Sequence, residues 1–177
     1  MNDIVLSMLS ESIEVKETFV RSHLDTIMQG ATTLARCLAS GHKILIFGNG
    51  GSAADSQHIA AEFVNRFRIE RSPLAAMALT TDTSIITSIG NDYSFDEIFS
   101  KQVRALGKPH DVAWGISTSG NSKNVVKAIR EAGRMGLHTM AMTGSGGELA
   151  ALADLVFAVP SDSTPRIQET HGLLGHI

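Results

Sequence analysis

The chain has 177 residues, of which 43% are hydrophobic, and its formal net charge at pH 7 is -3. This length suits one domain with a core of ordinary size. A slightly acidic chain without a cluster of lysine and arginine disfavours a nucleic-acid partner held mainly by charge. No apolar run approaches the length of a membrane span, so no membrane partner is expected. Cys37 is the only cysteine, which excludes an intrachain disulfide and favours a cytoplasmic location.

The first forty residues are predicted to be helical. Residues 3–40 contain one glycine, Gly30, and no proline. Apolar residues recur at helical spacing from Val20 to Leu38, which predicts one apolar stripe. We expect an N-terminal helical arm over residues 1–40 and an α/β sandwich over residues 43–177, together forming a single domain. The arm could also pack against a symmetry-related copy.

A glycine-rich turn between a strand and a helix is the most informative stretch of the sequence. The short aliphatic run Lys43–Phe47 predicts a parallel strand that is covered on both faces. The turn Gly48–Gly51 follows directly, and Ser52 with Asp55 resembles a capping pair at the start of a helix. Backbone N–H groups in such a turn bind anions, most often a phosphate.

Three interpretations of this turn remain open at this point. It could be an ordinary strand-to-helix connection in which Ser52 only caps the helix. Gly48, Gly50 and Ala53 also satisfy the loose dinucleotide-binding pattern, but that pattern requires an acidic residue about 20 residues further on. Glu70 lies in a polar stretch before the next apolar run, so this requirement is not met. The third interpretation is a sugar-phosphate site.

A second strand, loop and helix are predicted over residues 112–130. Their loop places four hydroxyl residues within six positions: Ser117, Thr118, Ser119 and Ser122. One cap suffices to begin a helix, so the additional hydroxyl groups favour an anion bound by neutral donors. A nicotinamide-binding fold has no need of this second loop.

Further strands are predicted at residues 75–79, 137–142 and 155–159, and further helices at residues 85–89, 94–105 and 148–153. The alternation of strands and helices predicts a three-layer α/β/α sandwich with a parallel sheet and ligands at the carboxyl edge. Asn91 and Asp92 taken alone predict a turn. Thr164 and Pro165 predict the cap and the first position of a final helix.

Four motifs, GNGGSAADSQHIAAE, GND, ISTSGNS and RIQETHGLLGH, occur in this order. Together they resemble the phosphoheptose isomerase family of the sugar isomerase (SIS) domain superfamily, over nearly the whole chain. The resemblance implies a SIS-type, Rossmann-like sandwich and a homotetramer in which subunits complete each other's sites. It also implies conversion of sedoheptulose 7-phosphate to D-glycero-D-manno-heptose 7-phosphate through an enediol(ate), in the biosynthesis of ADP-heptose and the lipopolysaccharide core.

The resemblance also implies which residues form the site. It assigns acid–base catalysis to Glu62 and His176, and one zinc ion per subunit to His58, Glu62, Gln168 and His176. Substrate contacts are implied for a larger set of residues: Asn49, Gly50, Gly51, Ser52, Glu62, Asn91, Asp92, Ser117, Thr118, Ser119, Ser122 and Gln168. Members of the family usually extend the last helix beyond the position of Ile177.

The spacing of these residues both supports and constrains a metal site. His58 and Glu62 are four residues apart and share one face of a helix. Nitrogen and oxygen ligands with one open position suit zinc acting as a Lewis acid on sugar oxygens. Gln168 and His176 are separated by about 12 Å along a helix, so they must lean toward each other to bind one ion.

Two other classes of protein share these loops. A non-catalytic SIS-domain protein that associates with the replication initiator is expected to lack the pair formed by Glu62 and His176. A sugar-phosphate-sensing regulatory domain is normally attached to a DNA-binding or synthase domain. The presence of both residues favours the enzyme.

Overall fold

The structure, a computed structural model, describes residues 2–177. Its strands are β1 (Ile44–Gly48), β2 (Ala76–Ala78), β3 (Val112–Ser117), β4 (His138–Thr143) and β5 (Leu155–Ala158). Its helices are α1 (Asn2–Ser22), α2 (Leu24–Ala39), α3 (Gly51–Val64), α4 (Thr83–Asp92), α5 (Ile98–Leu106), α6 (Lys123–Arg134), α7 (Glu148–Leu152) and α8 (Thr164–His176), and a short 3-10 helix covers Phe95–Glu97.

The five strands form one parallel sheet in the order β2-β1-β3-β4-β5. Every residue of β1 and β3 is buried, as their continuous apolar sequences predict. Alternate strand residues face opposite sides of the sheet, so Ile44 and Ile46 pack in one core cluster while Leu45 and Phe47 pack in the other. The predicted three-layer α/β/α sandwich is confirmed.

Two layers of helices cover the sheet. Helices α1, α2, α3 and α8 contribute buried side chains to the first cluster, and α5, α6 and α7 contribute to the second. The predicted N-terminal helical arm consists of two helices that meet at His23. No helix within residues 2–177 is both long enough and apolar enough to cross a membrane.

Several predicted boundaries were wrong by a few residues. The predicted turn at Asn91 and Asp92 is instead the last turn of α4, because the helix continues through Gly90. Thr164 was predicted to cap α8, but it is the first helical residue and Ser163 occupies the cap position. The predicted capping pair formed by Ser52 and Asp55 is absent, because α3 already begins at Gly51.

The strand order brings the predicted loops together. In the register of β1 and β3, Gly48 pairs with Ile116, and in that of β3 and β4, Ser117 pairs with Thr143. The carboxyl ends of these three neighbouring strands therefore lie at one edge of the sheet. The glycine-rich turn, the hydroxyl loop and a third loop, residues 143–147, begin there.

Candidate active site

The glycine-rich turn is built by close backbone approach. A Cβ atom on Gly48 would lie 2.8 Å from the carbonyl oxygen of Ile116, so no larger residue fits there without a shift. Gly50 has φ of 55° and occupies the cap position of α3, which has no side-chain cap. Ser52 lies in the first turn of that helix and is only 4% exposed.

Asn49 connects this turn to the hydroxyl loop. Its Nδ2 donates to Oδ1 of Asn124 at 2.8 Å, and Nδ2 of Asn124 donates back to Oδ1 of Asn49 at 2.9 Å. Asn124 is 2% exposed and lies in the first turn of α6. The two motifs are thus joined by a pair of reciprocal amide hydrogen bonds. Asn49 was predicted as a site residue from the sequence; Asn124 was not, because no motif marks its position.

The hydroxyl groups of the second loop bond mainly to each other. The Oγ atoms of Ser117 and Ser122 are 2.9 Å apart, and those of Ser117 and Ser119 are 3.4 Å apart. Ser122 occupies the cap position of α6, yet its side chain makes no capping hydrogen bond. Capping therefore does not account for the hydroxyl groups, which agrees with the reasoning from the sequence.

A polar cavity of about 330 Å³ lies beside this loop. It is lined by Thr118, Ser119, Ser145, Gly146, Ser161, Asp162, Thr164 and Ile167. Thr118 and Ser119 were predicted as site residues from the sequence, and the other lining residues were not. The succession of small and hydroxyl residues after β4 and β5 was the available signal, because these strands end at the same edge as β3. Ser145 donates a hydrogen bond of 3.0 Å to Oδ1 of Asp162 across the cavity wall.

The third loop, residues 143–147, is packed on the hydroxyl loop through backbone contacts. The Gly144 N–H donates to the carbonyl oxygen of Thr118 at 3.0 Å. Gly120 has φ of 65°, and a Cβ atom added to it would overlap the carbonyl oxygen of Gly146. Glycine is required at position 120 for both reasons.

A buried histidine of α8 contacts the residue at which the third loop begins. His171 is fully buried, and its Nε2 lies 3.1 Å from the carbonyl oxygen of Thr143, the residue that begins the loop. Burial lowers the pKa of His171 from 6.5 to about 4, and the hydrogen bond to Thr143 only partly opposes this effect. The imidazole is therefore neutral at pH 7, with Nε2–H donating to Thr143.

Three predicted site residues meet where α3 lies against α8. The Nε2 atoms of His58 and His176 are 2.8 Å apart, and His58 Nε2 is 3.7 Å from Oε1 of Glu62. One ligand atom from each residue lies within 4.8 Å of the others. The ring of Phe67 stacks on His176 with a centroid distance of 5.0 Å and an interplanar angle of 10°.

Gln168 lies about two turns before His176 in α8, next to the start of α3. Its Nε2 is 2.7 Å from the position that a Cβ atom on Gly51 would occupy. The carboxamide of Gln168 therefore contacts Gly51, the first residue of α3. Whether Gln168 also binds a metal remains a prediction.

Asn91 and Asp92 are exposed at the end of α4. Nδ2 of Asn91 donates to Oδ1 of Asp92 at 2.8 Å. Neither residue lines the polar cavity of 330 Å³. Within one chain the structure does not bring them to that cavity, and their contact with substrate remains a prediction.

The fold and the site define a SIS-domain protein, and the SIS domain model matches residues 9–144. A phosphoheptose isomerase of Nitratidesulfovibrio vulgaris is 55% identical over 175 residues, which are 98% of this chain and 84% of that protein. The solved phosphoheptose isomerase of Neisseria gonorrhoeae superposes with a TM-score of 0.93 at 48% identity, covering 99% of this chain and 94% of that one. For the enzyme of Francisella tularensis the TM-score is 0.94 at 40% identity, with coverages of 98% and 93%. The chain belongs to the phosphoheptose isomerase family of SIS-domain proteins and is an isomerase.

Proposed function

We propose that this isomerase interconverts sedoheptulose 7-phosphate and D-glycero-D-manno-heptose 7-phosphate by moving the carbonyl group between C1 and C2. The observation that carries the proposal is the meeting of Glu62 and His176, which come from different helices and lie with His58 within 4.8 Å. The 55% identity with an enzyme named phosphoheptose isomerase supports the substrate. We further propose a cytoplasmic, single-domain enzyme acting in ADP-heptose and lipopolysaccharide core biosynthesis.

The proposed reaction requires a base and an acid. The carboxylate of Glu62 takes the proton bound to one carbon and returns it to the neighbouring carbon. The imidazole of His176 donates a proton to the carbonyl oxygen and takes one back from the hydroxyl group that becomes the new carbonyl. An enediol(ate) lies between the two steps. In the absence of a metal ion, the 2.8 Å between the two Nε2 atoms requires one imidazole to donate a hydrogen bond and the other to accept it, whereas a metal ion would take a lone pair from each.

The polar cavity is the proposed site for the phosphate end of the substrate. Hydroxyl groups of Thr118 and Ser119 and backbone N–H groups of the surrounding loops are neutral donors, and no lysine or arginine lines this cavity. Asp162 also lines the cavity. Two anions repel each other, so we assign this carboxylate to sugar hydroxyl groups and not to the phosphate.

The donor atoms of His58, Glu62 and His176 fit a zinc ion. Zinc is bound by histidine nitrogen and carboxylate oxygen at about 2.0–2.2 Å, so two ligands of one ion are roughly 3–4 Å apart. The separation of 3.7 Å lies within this range, and the 2.8 Å between the two Nε2 atoms would have to widen by a few tenths of an ångström. Gln168 would be the fourth ligand. When bound, zinc would act as a Lewis acid toward the sugar oxygens.

The exposed face of α1 supports the proposed homotetramer. Six apolar residues of this helix are each more than half exposed: Ile4, Val5, Leu6, Met8, Leu9 and Ile13. A continuous apolar surface of this kind is usually covered by another protein surface. We propose that the helical arm packs against other subunits and that Asn91 and Asp92 complete the site of a neighbour. Light scattering coupled to size-exclusion chromatography tests the mass, and a monomer would contradict this proposal.

The experiment that tests the function is a turnover assay on Glu62→Gln and His176→Gln. Aldose formation from sedoheptulose 7-phosphate is followed for each variant and for the wild type. Each substitution should lower kcat by about 10²–10⁴, because each removes a positioned proton-transfer group. Glu70→Gln, at an 80% exposed side chain, is the matched control and should be fully active. A wild type without turnover would favour the interaction protein.

Treatment with a chelator tests the role of the metal separately from that of the acid–base pair. Wild-type enzyme that loses turnover with a chelator and regains it with zinc would support zinc in the reaction. Undiminished turnover in a sample verified to be free of zinc would contradict that part of the proposal. The loss caused by Glu62→Gln is still expected in the latter case, so the two parts of the proposal fail independently.

Gly51→Ala tests the position of Gln168. The added Cβ atom would lie 2.7 Å from Nε2 of Gln168 and must displace the carboxamide. We expect a raised KM or lowered kcat with little loss of stability. Gly133→Ala is the matched control, because nothing lies within 4 Å of a Cβ atom at that helical position. Equal kinetics for Gly51→Ala and the wild type would contradict a role of Gln168 in the site.

A further inference from the structure

A second polar cavity, of about 400 Å³, lies at the opposite edge of the sheet from the site. It is lined by Thr33, Arg36, Cys37, Ser40, His42, His110 and His138. His42 and His110 precede β1 and β3, and His138 begins β4, so the three histidines lie at the amino ends of neighbouring strands. At about 3.3 Å per residue, the length of β3 places this cavity roughly 20 Å from the catalytic loops.

The loops hold the three imidazole rings next to each other. The ring centroids of His42 and His110 are 5.6 Å apart, and those of His110 and His138 are 6.3 Å apart. His110 is the only residue other than glycine with positive φ among residues 2–177, at 72°, and its N–H donates to the carbonyl oxygen of Gly136 at 2.9 Å. This conformation is unfavourable for a residue with a side chain, and the surrounding hydrogen bonds maintain it.

The cavity has more cationic and donor groups than acidic ones. Within residues 2–177, the guanidinium of Arg36 has no ion pair and no hydrogen bond to a side chain. Asp111 contacts the lining residue His42, with 3.6 Å between its Oδ1 and Nδ1 of the imidazole. The Asp111 side chain is 2% exposed and is paired with the ammonium of Lys43 at 2.5 Å. It also accepts the backbone N–H groups of Lys43 at 3.0 Å and Lys108 at 2.8 Å. The charge of Asp111 is therefore neutralised, while that of Arg36 is not.

These groups suit an anion better than a metal ion. Among residues 2–177, three ligand atoms come within 4.8 Å of one another only at His58, Glu62 and His176. The histidines of the second cavity are therefore not gathered around one point, and the charge of Arg36 would repel a dication. Guanidinium, imidazole and hydroxyl donors around one space are a typical environment for a phosphoryl group.

We propose that this cavity binds a phosphoryl group, either inorganic phosphate or the phosphate of a small metabolite. Arg36 supplies the charge, and the imidazoles of His110 and His138 with the hydroxyl of Ser40 supply further donors. The site does not involve the catalytic residues, so its existence is independent of the function proposed above.

Carbethoxylation of histidines by diethyl pyrocarbonate, mapped by mass spectrometry, tests the proposal residue by residue. The full-length enzyme is treated at neutral pH and constant ionic strength, with increasing concentrations of inorganic phosphate or of glycerol 3-phosphate. The rate at which His110 and His138 are modified should fall to a plateau as the concentration of the phosphate compound rises. Both residues should give the same half-saturation concentration. His23, which lies outside the cavity, should react at an unchanged rate. The compound with the lower half-saturation concentration identifies the source of the phosphoryl group.

Two variants assign the protection to this cavity. Arg36→Gln should raise the half-saturation concentration for His110 and His138 by about tenfold or more, because it removes a charge-assisted contact. Arg104 is an exposed arginine outside the cavity, and Arg104→Gln should leave the half-saturation concentration unchanged. Protection of His58 and His176 reports phosphate at the catalytic site and should be the same in both variants. Absence of saturable protection, equal effects of both variants, or protection by Zn²⁺ alone would overturn the proposal.

Discussion

The buried imidazole of His171 should make the stability of this protein depend on pH. Its pKa is lowered from 6.5 to about 4 by burial, so the folded protein does not bind this proton until the pH is close to 4. The unfolded chain binds it below about pH 6.5. Because the unfolded state then holds more protons than the folded state, stability decreases as the pH falls from 6.5 toward 4.

The size of this effect follows from the two pKa values. A tenfold change in proton affinity corresponds to about 1.4 kcal/mol, so protonation costs the folded state about 3 kcal/mol over the whole interval. Roughly 2 kcal/mol of this cost falls between pH 7 and pH 5. His171→Gln keeps a side-chain donor for Thr143 but removes the titrating group. Between pH 7 and pH 5, the free energy of unfolding of the wild type should therefore fall by about 2 kcal/mol more than that of the variant.

Urea unfolding followed by circular dichroism, at one fixed protein concentration and at several pH values, measures this difference. Leu174→Ala is the matched control, since Leu174 is also buried on α8 and does not titrate. Its substitution should cost about 2–5 kcal/mol at every pH, because it leaves a cavity. Parallel pH profiles for the wild type and His171→Gln would refute the reasoning.

Two further substitutions test the supports of the site. Gly120→Ala should destabilise the protein by several kcal/mol and abolish turnover, because the added Cβ atom overlaps the carbonyl oxygen of Gly146 and the φ of residue 120 is 65°. Thermal unfolding measures the loss of stability, with Gly133→Ala as control. Equal melting temperatures for Gly120→Ala and the wild type would contradict the prediction. Asp111→Asn should lower the free energy of unfolding by about 3 kcal/mol near neutral pH, because the Lys43 ammonium loses its partner. Burial alone would raise the pKa of Asp111, but hydrogen bonds from Lys43 and Lys108 outweigh it and lower the pKa. The stabilisation by the carboxylate is therefore lost as the pH falls through this lowered pKa. Urea unfolding should show that the difference in the free energy of unfolding between wild type and variant decreases only in this acidic range. A difference that does not change with pH would contradict this account.

The sequence was most informative where backbone geometry and local pattern coincide. Continuous apolar runs predicted β1 and β3 because both strands are buried on both faces. The glycine-rich turn and the hydroxyl loop were recognisable because each stands between such a strand and a helix. The helical spacing of His58 and Glu62 also correctly predicted that the two residues share a face.

The remaining features depend on contacts between distant segments. No pattern in the sequence indicated that Asn124 bonds to Asn49 or that Asp162 lines the same cavity as Ser119. The role of His171 under Thr143 likewise follows from packing of α8 against the end of β4. Such pairings arise from the order of strands in the sheet, which neither spacing nor composition specifies.

If the proposed site is correct, the contact between α3 and α8 makes its geometry depend on Gly175, which has no side chain to take part in the reaction. A Cβ atom on Gly175 would lie 2.9 Å from a side-chain carbon of Ile59, so the absence of a side chain there sets how closely the two helices approach. His58 and His176 stand next to these two positions in the sequence. A single methyl group introduced at Gly175 should therefore move the imidazoles of His58 and His176 apart without replacing any residue of the proposed site. The activity lost on substitution along α8 should therefore depend more on how far the substitution moves α8 from α3 than on how close the residue lies to the substrate.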